Sequence, residues 1–349
     1  MTGDTSHSGR APAGLRAGVR AVIALATVLV SFSVTAEPVS LKLSFFTSDR
    51  TIAYLAAVKP FVEAVNDDPE GLLKIDVYAS GTLGKVQKEL PDLLLSGGAD
   101  IAFIVPGQNP DRFADTGVVE LPGLFKTVRE STLTFTRLAA TGALSDYKEF
   151  FVIGAFATPP ETINSRKPMR ELADLKGQKI RVNNAVQAEA FSKLGVLPSV
   201  VAFNETAPAI MSGALDGATV PVAQLFDVGI GRLTSHHYLL GTSVAPLTLL
   251  MNRKALDRLS PRAQAVIRKY SGEWAALRFI EVYEVAGKKA LDELYQDRRR
   301  TIVTPSAPDV DAAAAVFSTI ADAFAAQSAH RAELVRAAHA AIADIRAKP

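Results

Sequence analysis

From Val39 onward the chain alternates two hydrophobic rhythms. "SLKLSFF" (Ser40–Phe46) sets apolar residues at every second position, the pattern of a half-buried strand, and Ile52 to Val65 carries them at helical spacing. "LLKIDVY" (Leu72–Tyr78) predicts a second strand, "GKVQKELPDLLLSGG" a helix closing on glycines, and "ADIAFIV" (Ala99–Val105) a third strand. Strand, helix, strand, helix, strand in this order predicts a mostly parallel sheet covered by helices.

The same order recurs downstream. "QKIRV" predicts a strand, Ala185–Leu194 a helix, "PSVVAF" a strand, Glu205–Gly213 a helix and "DGATV" a strand. "SGGADIAFIVP" (Ser96–Pro106) and "SGALDGATVP" (Ser212–Pro221) match at Ser96/Ser212, Gly97/Gly213, Asp100/Asp216 and Ala102/Ala218. Each reads as a helix end, a glycine stop, an Asp leading into a buried strand and a closing proline. Two α/β lobes of similar build are therefore expected.

Between them, "FFVIGAFATPPETINSRKPM" (Phe150–Met169) reads as an apolar strand, a Pro-Pro break and a polar extended stretch that crosses from one lobe to the other. "APLTLLMN" (Ala245–Asn252) is a second apolar strand that crosses back. Ser260-Pro261 then opens a helical pattern running to about Arg298, with Ser271-Gly272 as a kink. At 1.5 Å per residue it would span roughly 55 Å and brace both lobes. The tail from Pro308 is Ala-rich and helical to Lys348. The expected division is lobe I over 37–155 and 246–275, lobe II over 156–245 and 276–335, and a helical tail over 336–349. The fold class is thus a two-lobed α/β protein whose interlobe cleft is the natural ligand position, beside the carboxyl ends of strands.

The 349 residues exceed one ordinary domain and suit two lobes, and the start of the chain reads apart from them. Arg10, Arg16 and Arg20 form a positive region, Ala21 to Phe32 an apolar one, and "SVTA" a small-residue cleavage site ending at Ala36, so 1–36 reads as an export signal. The leader holds three Arg and one Asp, which leaves 35 basic and 35 acidic residues in the remainder from totals of 38 and 36. A neutral chain offers neither a nucleic-acid footprint nor a polybasic membrane patch. "DRRR" (Asp297–Arg300) is the one dense basic run and reads as a solvated helix end. With no cysteine, neither a disulfide nor a thiolate site is available.

Arg181 in "KIRVNN" is the sharpest chemical candidate. It lies near the carboxyl end of a strand, and Asn183-Asn184 supplies N-cap chemistry for the helix that follows. A guanidinium fork beside a helix N-terminus suits a carboxylate ligand. The competing reading is an internal ion pair with a distant Asp or Glu. "GTLGKVQ" (Gly81–Gln87) lacks the Gly-Lys-Ser/Thr ending of a phosphate loop. His236-His237 would point to opposite faces of a strand and reads as surface or strand-edge histidine rather than a metal pair. Neither a Gly-x-Ser-x-Gly elbow nor a triad context is present. Glu161, Glu205 and Asp216 could in principle form an acid/base pair, but Glu205 at a helix's first turn and Asp216 at a helix-to-strand junction have structural readings, so binding without catalysis is expected and no cofactor is called for.

The stretches "ASGTLGKVQKELPDLLLSGGADIAFI", "GVVELPGLF", "TINSRKPMRELADLKGQKIRV", "AFNETAPAIMSGALDGATVP" and "LSPRAQAVIRKYSG" resemble the solute receptors of tripartite ATP-independent periplasmic (TRAP) transporters, over roughly residues 39–330. The resemblance implies that Arg181 clamps a substrate carboxylate, that Asn184 helps, and that Phe203 forms an aromatic wall. It assigns the other lobe's contribution to Phe46, Thr47 and the turn holding Gln108. The sequence also departs from the family pattern: Asn183 stands where Pro is common, Pro160 or Glu161 where some receptors carry a second arginine, and Val220 where an Asn precedes the proline. These changes imply a more apolar pocket, suited to a monocarboxylate with an apolar or aromatic body. The resemblance further implies a periplasmic, monomeric receptor that hands an organic acid to membrane subunits for ion-gradient-driven uptake. A ligand-sensing subunit for a membrane kinase, or an enzyme on the same scaffold, are the alternatives.

Overall fold

The computed structural model describes residues 37–348, so the expected export signal lies outside the described residues. Eleven strands form two sheets. Strands β1 (Val39–Ser44), β2 (Leu73–Tyr78), β3 (Ile101–Ile104), β4 (Phe150–Ala157) and β10 (Pro246–Asn252) make a five-stranded sheet in the order β2-β1-β3-β10-β4. Strands β5 (Thr162–Ser165), β6 (Lys179–Val182), β7 (Leu197–Val200), β8 (Gly217–Val220), β9 (His236–Tyr238) and β11 (Thr301–Val303) make the other, in the order β11-β9-β5-β8-β6-β7.

The two sheets follow one scheme. In each, a central strand pairs in parallel with two neighbours: β1 with β2 and β3, β6 with β7 and β8. In each, the next strand is antiparallel, β10 against β3 and β5 against β8. The chain supplies these two positions by crossing over, β4 leading to β5 and β9 leading back to β10. The crossovers also bond to each other: Thr158 N donates to Ala245 O (3.0 Å), Glu161 N to Ser243 O (2.9 Å) and Thr242 N to Glu161 O (3.0 Å).

The paired Asp residues of the internal repeat do equivalent work. Lys42 N donates to Asp100 Oδ2 and Lys179 N to Asp216 Oδ2, both at 2.9 Å, while each Asp amide returns a bond to that lysine's carbonyl. The carboxylate thus satisfies an amide of the neighbouring strand, the fourth of β1 and the first of β6, and helps fix its register.

Helices cover the sheets, and several are shorter than their patterns. The Ile52–Val65 run begins as one π-type turn (Tyr54–Val58) and continues as α1 (Lys59–Asn66). The next splits into a 3₁₀ turn at Gln87–Glu89 and α2 (Leu90–Leu95), because Pro91 is tolerated only in a helix's first turn. Helix α3 (Val128–Ala140) covers edge strand β4. On the other sheet lie α4 (Ala185–Lys193), α5 (Thr206–Met211) and the short α6 (Ile230–Leu233). Helix α7 (Arg253–Asp257) follows β10.

The long pattern from Ser260 bends at the expected Ser271-Gly272, which divides it into α8 (Pro261–Lys269) and α9 (Glu273–Gln296). Gly272 separates them at φ +63°, ψ −124°, a conformation open to glycine, and its amide donates to Ile153 O in β4. Helix α9, about 36 Å long at 1.5 Å per residue, packs on α3 and β4 of one sheet and on the 222–224 turn beside the other. The tail forms α10 (Ala307–Ala326) and α11 (Ala329–Ala347), broken at Ser328, whose hydroxyl caps the second.

Two surface expectations are corrected. His237 is fully buried, bonded to Asn164 Oδ1 (2.7 Å) and Arg300 Nη1 (3.1 Å), and burial with the nearby Arg300 charge pushes its pKa down to about 4. Arg300 is likewise not a solvated helix end. Its side chain is 12% exposed and donates to Thr234 O and Gly231 O. Among the described residues no helix is long and apolar enough to cross a membrane.

Candidate functional site

Carboxyl ends of parallel strands from both sheets converge on one cavity. Phe46 and Thr47 follow β1, Val105 follows β3, Asn183 follows β6, and Val220 closes β8. The cavity is tight, about 40 Å³, which is room for a few waters. Phe46, Phe103 and Phe203 bring rings to its wall, the first two with centroids 6.1 Å apart. Larger surface depressions, of about 360 and 510 Å³, lie beside Lys148 and Arg253 and beside Pro160 and Phe317. Neither gathers a buried charge, so the small cavity is the chemically distinctive one.

Arg181 is the buried charge that lines it, at 2% exposure. Its Nε donates to Val201 O (2.9 Å), Nη1 to Thr219 O (3.1 Å) and Nη2 to Asn183 Oδ1 (3.0 Å). All three acceptors are neutral oxygens. Of the five guanidinium N–H groups, one remains on each terminal nitrogen, the pair a carboxylate accepts in parallel. Burial lowers the Arg181 pKa and the negative Glu161 opposes that, but a guanidinium stays charged.

Glu161, 2% exposed, stands on the crossover and also lines the cavity. Burial raises its pKa, against the pull of Arg181 and a 2.8 Å bond from Gln187 Nε2. Gln187 Nε2 also donates to Thr242 Oγ1 (3.2 Å), while its Oε1 accepts from Asn183 N (2.9 Å) and Thr219 Oγ1 (3.1 Å). This side chain joins both crossovers to the arginine strand.

Seven of the residues read from the sequence thus line one cavity: Phe46, Thr47, Glu161, Arg181, Asn183, Phe203 and Val220. Two lie behind it. Asn184 caps α4, its Oδ1 accepting from Gln187 N at 2.8 Å. Gln108 Nε2 donates to Asn183 O (2.9 Å), a bond between the turn after β3 and the turn after β6. Gly107 approaches this junction so closely that a Cβ there would collide with the Glu120 Oε1 atom and press on Asn184. Burial, reinforced by the negative Glu161, pushes the Glu120 pKa up to about 8.

The sequence reading missed Thr51, Ala53, Gln87, Phe103, Thr158, Gln224, Ala245 and Leu247 in the lining. Thr158 and Ala245 flank the prolines of the two crossovers, a signal that was available. Gln87 carried none. Among the described residues no group of three or more His, Cys, Asp and Glu is placed to hold a metal ion.

Comparison with known proteins agrees with this architecture. The chain is 26% identical over 244 residues to the 2,3-diketo-L-gulonate-binding periplasmic protein YiaO of Escherichia coli K12, covering 65% of this chain and 70% of that one. A marine metagenome TRAP solute binding protein specific for aromatic acid ligands, solved with 3-hydroxybenzoate, superposes with a TM-score of 0.82 at 24% identity, over 89% of this chain and 99% of the other. A TRAP solute binding protein from Rhodoferax ferrireducens T118 with copurified benzoate gives 0.84 at 22% identity, over 88% and 99%. The bacterial extracellular solute-binding protein family 7 matches residues 43–328, and the chain belongs to that family of TRAP solute receptors.

Proposed function

We propose that this protein is an extracytoplasmic receptor for an organic monocarboxylate with a compact aromatic body, which it delivers to TRAP membrane subunits for ion-gradient-driven uptake. The observation that carries the reading is the buried Arg181 fork, held by three neutral oxygens with one N–H free on each terminal nitrogen. The rings of Phe46, Phe103 and Phe203 and the aliphatic Val220 and Leu247 suit a planar apolar body. The aromatic-acid specificity of the metagenome receptor and the benzoate in the Rhodoferax receptor support the same class.

The halves carrying the two sheets act as lobes I and II of the expected division, hinged at the bonded crossovers 158–161 and 242–245. Ligand bound to both halves favours the closed form by its differential affinity for it. The receptor acts as a monomer in the periplasm after removal of residues 1–36, and binds without turnover. Gln108 and Asn184 serve by holding the cavity wall. The test is calorimetric titration of residues 37–349 with benzoate. Arg181→Ala is expected to weaken binding about 100-fold or more, since a buried charge-assisted contact is lost and the ligand charge is left unpaired. Retained affinity within a fewfold contradicts the assignment.

A further inference from the structure

Two side-chain amides at the cavity have donors without a protein partner. Asn183 Nδ2 is one, and it is oriented: Arg181 Nη2 holds the amide's oxygen at 3.0 Å, so the nitrogen is left over beside the guanidinium. Gln87 Nε2 is the other. Gln87 is 6% exposed and lines the cavity from the 3₁₀ turn ahead of α2, on the half of the molecule opposite Arg181.

A buried amide donor left unpaired is costly, so a side chain that keeps one in a cavity is ordinarily answered by something that enters. Leu90, Leu94 and Phe103 of the same half are buried apolar side chains, and an apolar residue would fill position 87 without that cost.

Resting on the carboxylate reading above, we infer that Gln87 is a specificity-determining residue: it receives a hydroxyl group that the ligand carries on its ring or side chain, in addition to the carboxylate held by Arg181. A hydroxyl both accepts and donates, so it satisfies the carboxamide through either of its polar atoms. The free Asn183 donor, next to the guanidinium, serves the carboxylate end. The ligand is then a hydroxylated aromatic acid rather than the bare acid. A site with an unpaired polar group discriminates strongly against the analogue that lacks the matching group.

The test compares benzoate with its 2-, 3- and 4-hydroxy isomers by calorimetry on residues 37–349, wild type and Gln87→Met. Methionine keeps the length and removes the donor, so the ligand-free variant is expected to melt no lower than wild type. In the wild type one isomer is expected to bind about tenfold or more tighter than benzoate. In Gln87→Met the ratio of those two affinities should fall to within about twofold. If the acids bind but no isomer exceeds benzoate, or the preference persists undiminished in the variant, the inference is overturned while the carboxylate reading stands. If none of the acids binds, both fall together.

Discussion

Taking a guanidinium out of water costs several kcal/mol, and Arg181 is not compensated by a carboxylate among its hydrogen-bond partners. Its acceptors are two carbonyls and an amide oxygen, which fix the plane of the fork and leave the positive charge for an incoming anion. Glu161 is close enough to act on that charge, and its own burial holds its pKa up, which lessens its competition with a ligand carboxylate. Glu120 shows the same effect more strongly. Its native pKa of about 8 lies above the ordinary 4.5, so the folded state holds a proton that the unfolded state has lost between those values. Stability contributed at this position is therefore full below pH 4.5 and declines as pH rises toward 8. Glu120→Gln should remove that decline. Thermal unfolding at pH 5, 6, 7 and 8 is expected to show the variant gaining on wild type progressively, and parallel profiles would contradict the burial account.

At the scale of elements, Gly272 is the sharpest case. Its backbone angles lie outside the range of L-residues, yet a Cβ there would meet nothing within 4 Å. The cost of Gly272→Ala is thus almost entirely backbone strain, expected at about 1–3 kcal/mol. Denaturant unfolding checks it through a lower midpoint with an unchanged slope. The same glycine shows how far the sequence could be read. The helical periodicity on both sides was legible, and the Ser271-Gly272 pair marked the bend, because a glycine admits backbone angles that the flanking residues do not. Helix α3 went unread for a different reason. Its buried positions include Thr132, Thr134 and Thr136, which blur the hydrophobic period. Thr132 and Thr136 are satisfied by donating to Ala157 O and Ala155 O at 2.8 Å, on the edge strand that the helix protects. The parallel strands, by contrast, were plain from their apolar runs, and the Asp100/Asp216 echo reflects an actual shared bond pattern. Cavity-lining residues on strand ends, such as Asn183 and Val220, were legible for the same reason. His237 was not, because Asn164 and Arg300, which accommodate it, come from 73 and 63 positions away.

For the whole molecule, the proposed hinge closure implies that bonds across the cavity set how tightly the halves close. Asp227 Oδ2 accepts from Ile52 N at 3.0 Å, joining the segment after β8 to the start of the helix after β1. Gln108 to Asn183 is the second such link. Neither Asp227 nor Ile52 lines the cavity, so Asp227→Ala tests closure without touching the ligand. It is expected to speed ligand release about tenfold, as measured by stopped-flow displacement, with a smaller change in association. An unaltered release rate would remove this bond from the closing mechanism.

The central claim is that a buried arginine reads a carboxylate between two hinged halves. The most direct measurement is titration of residues 37–349 with benzoate and its hydroxy isomers, side by side with Arg181→Ala. Binding to the wild type with loss of about 100-fold or more in a folded variant is the predicted result. Equal affinity in the two proteins, or no binding of any of these acids to folded wild type, would contradict it.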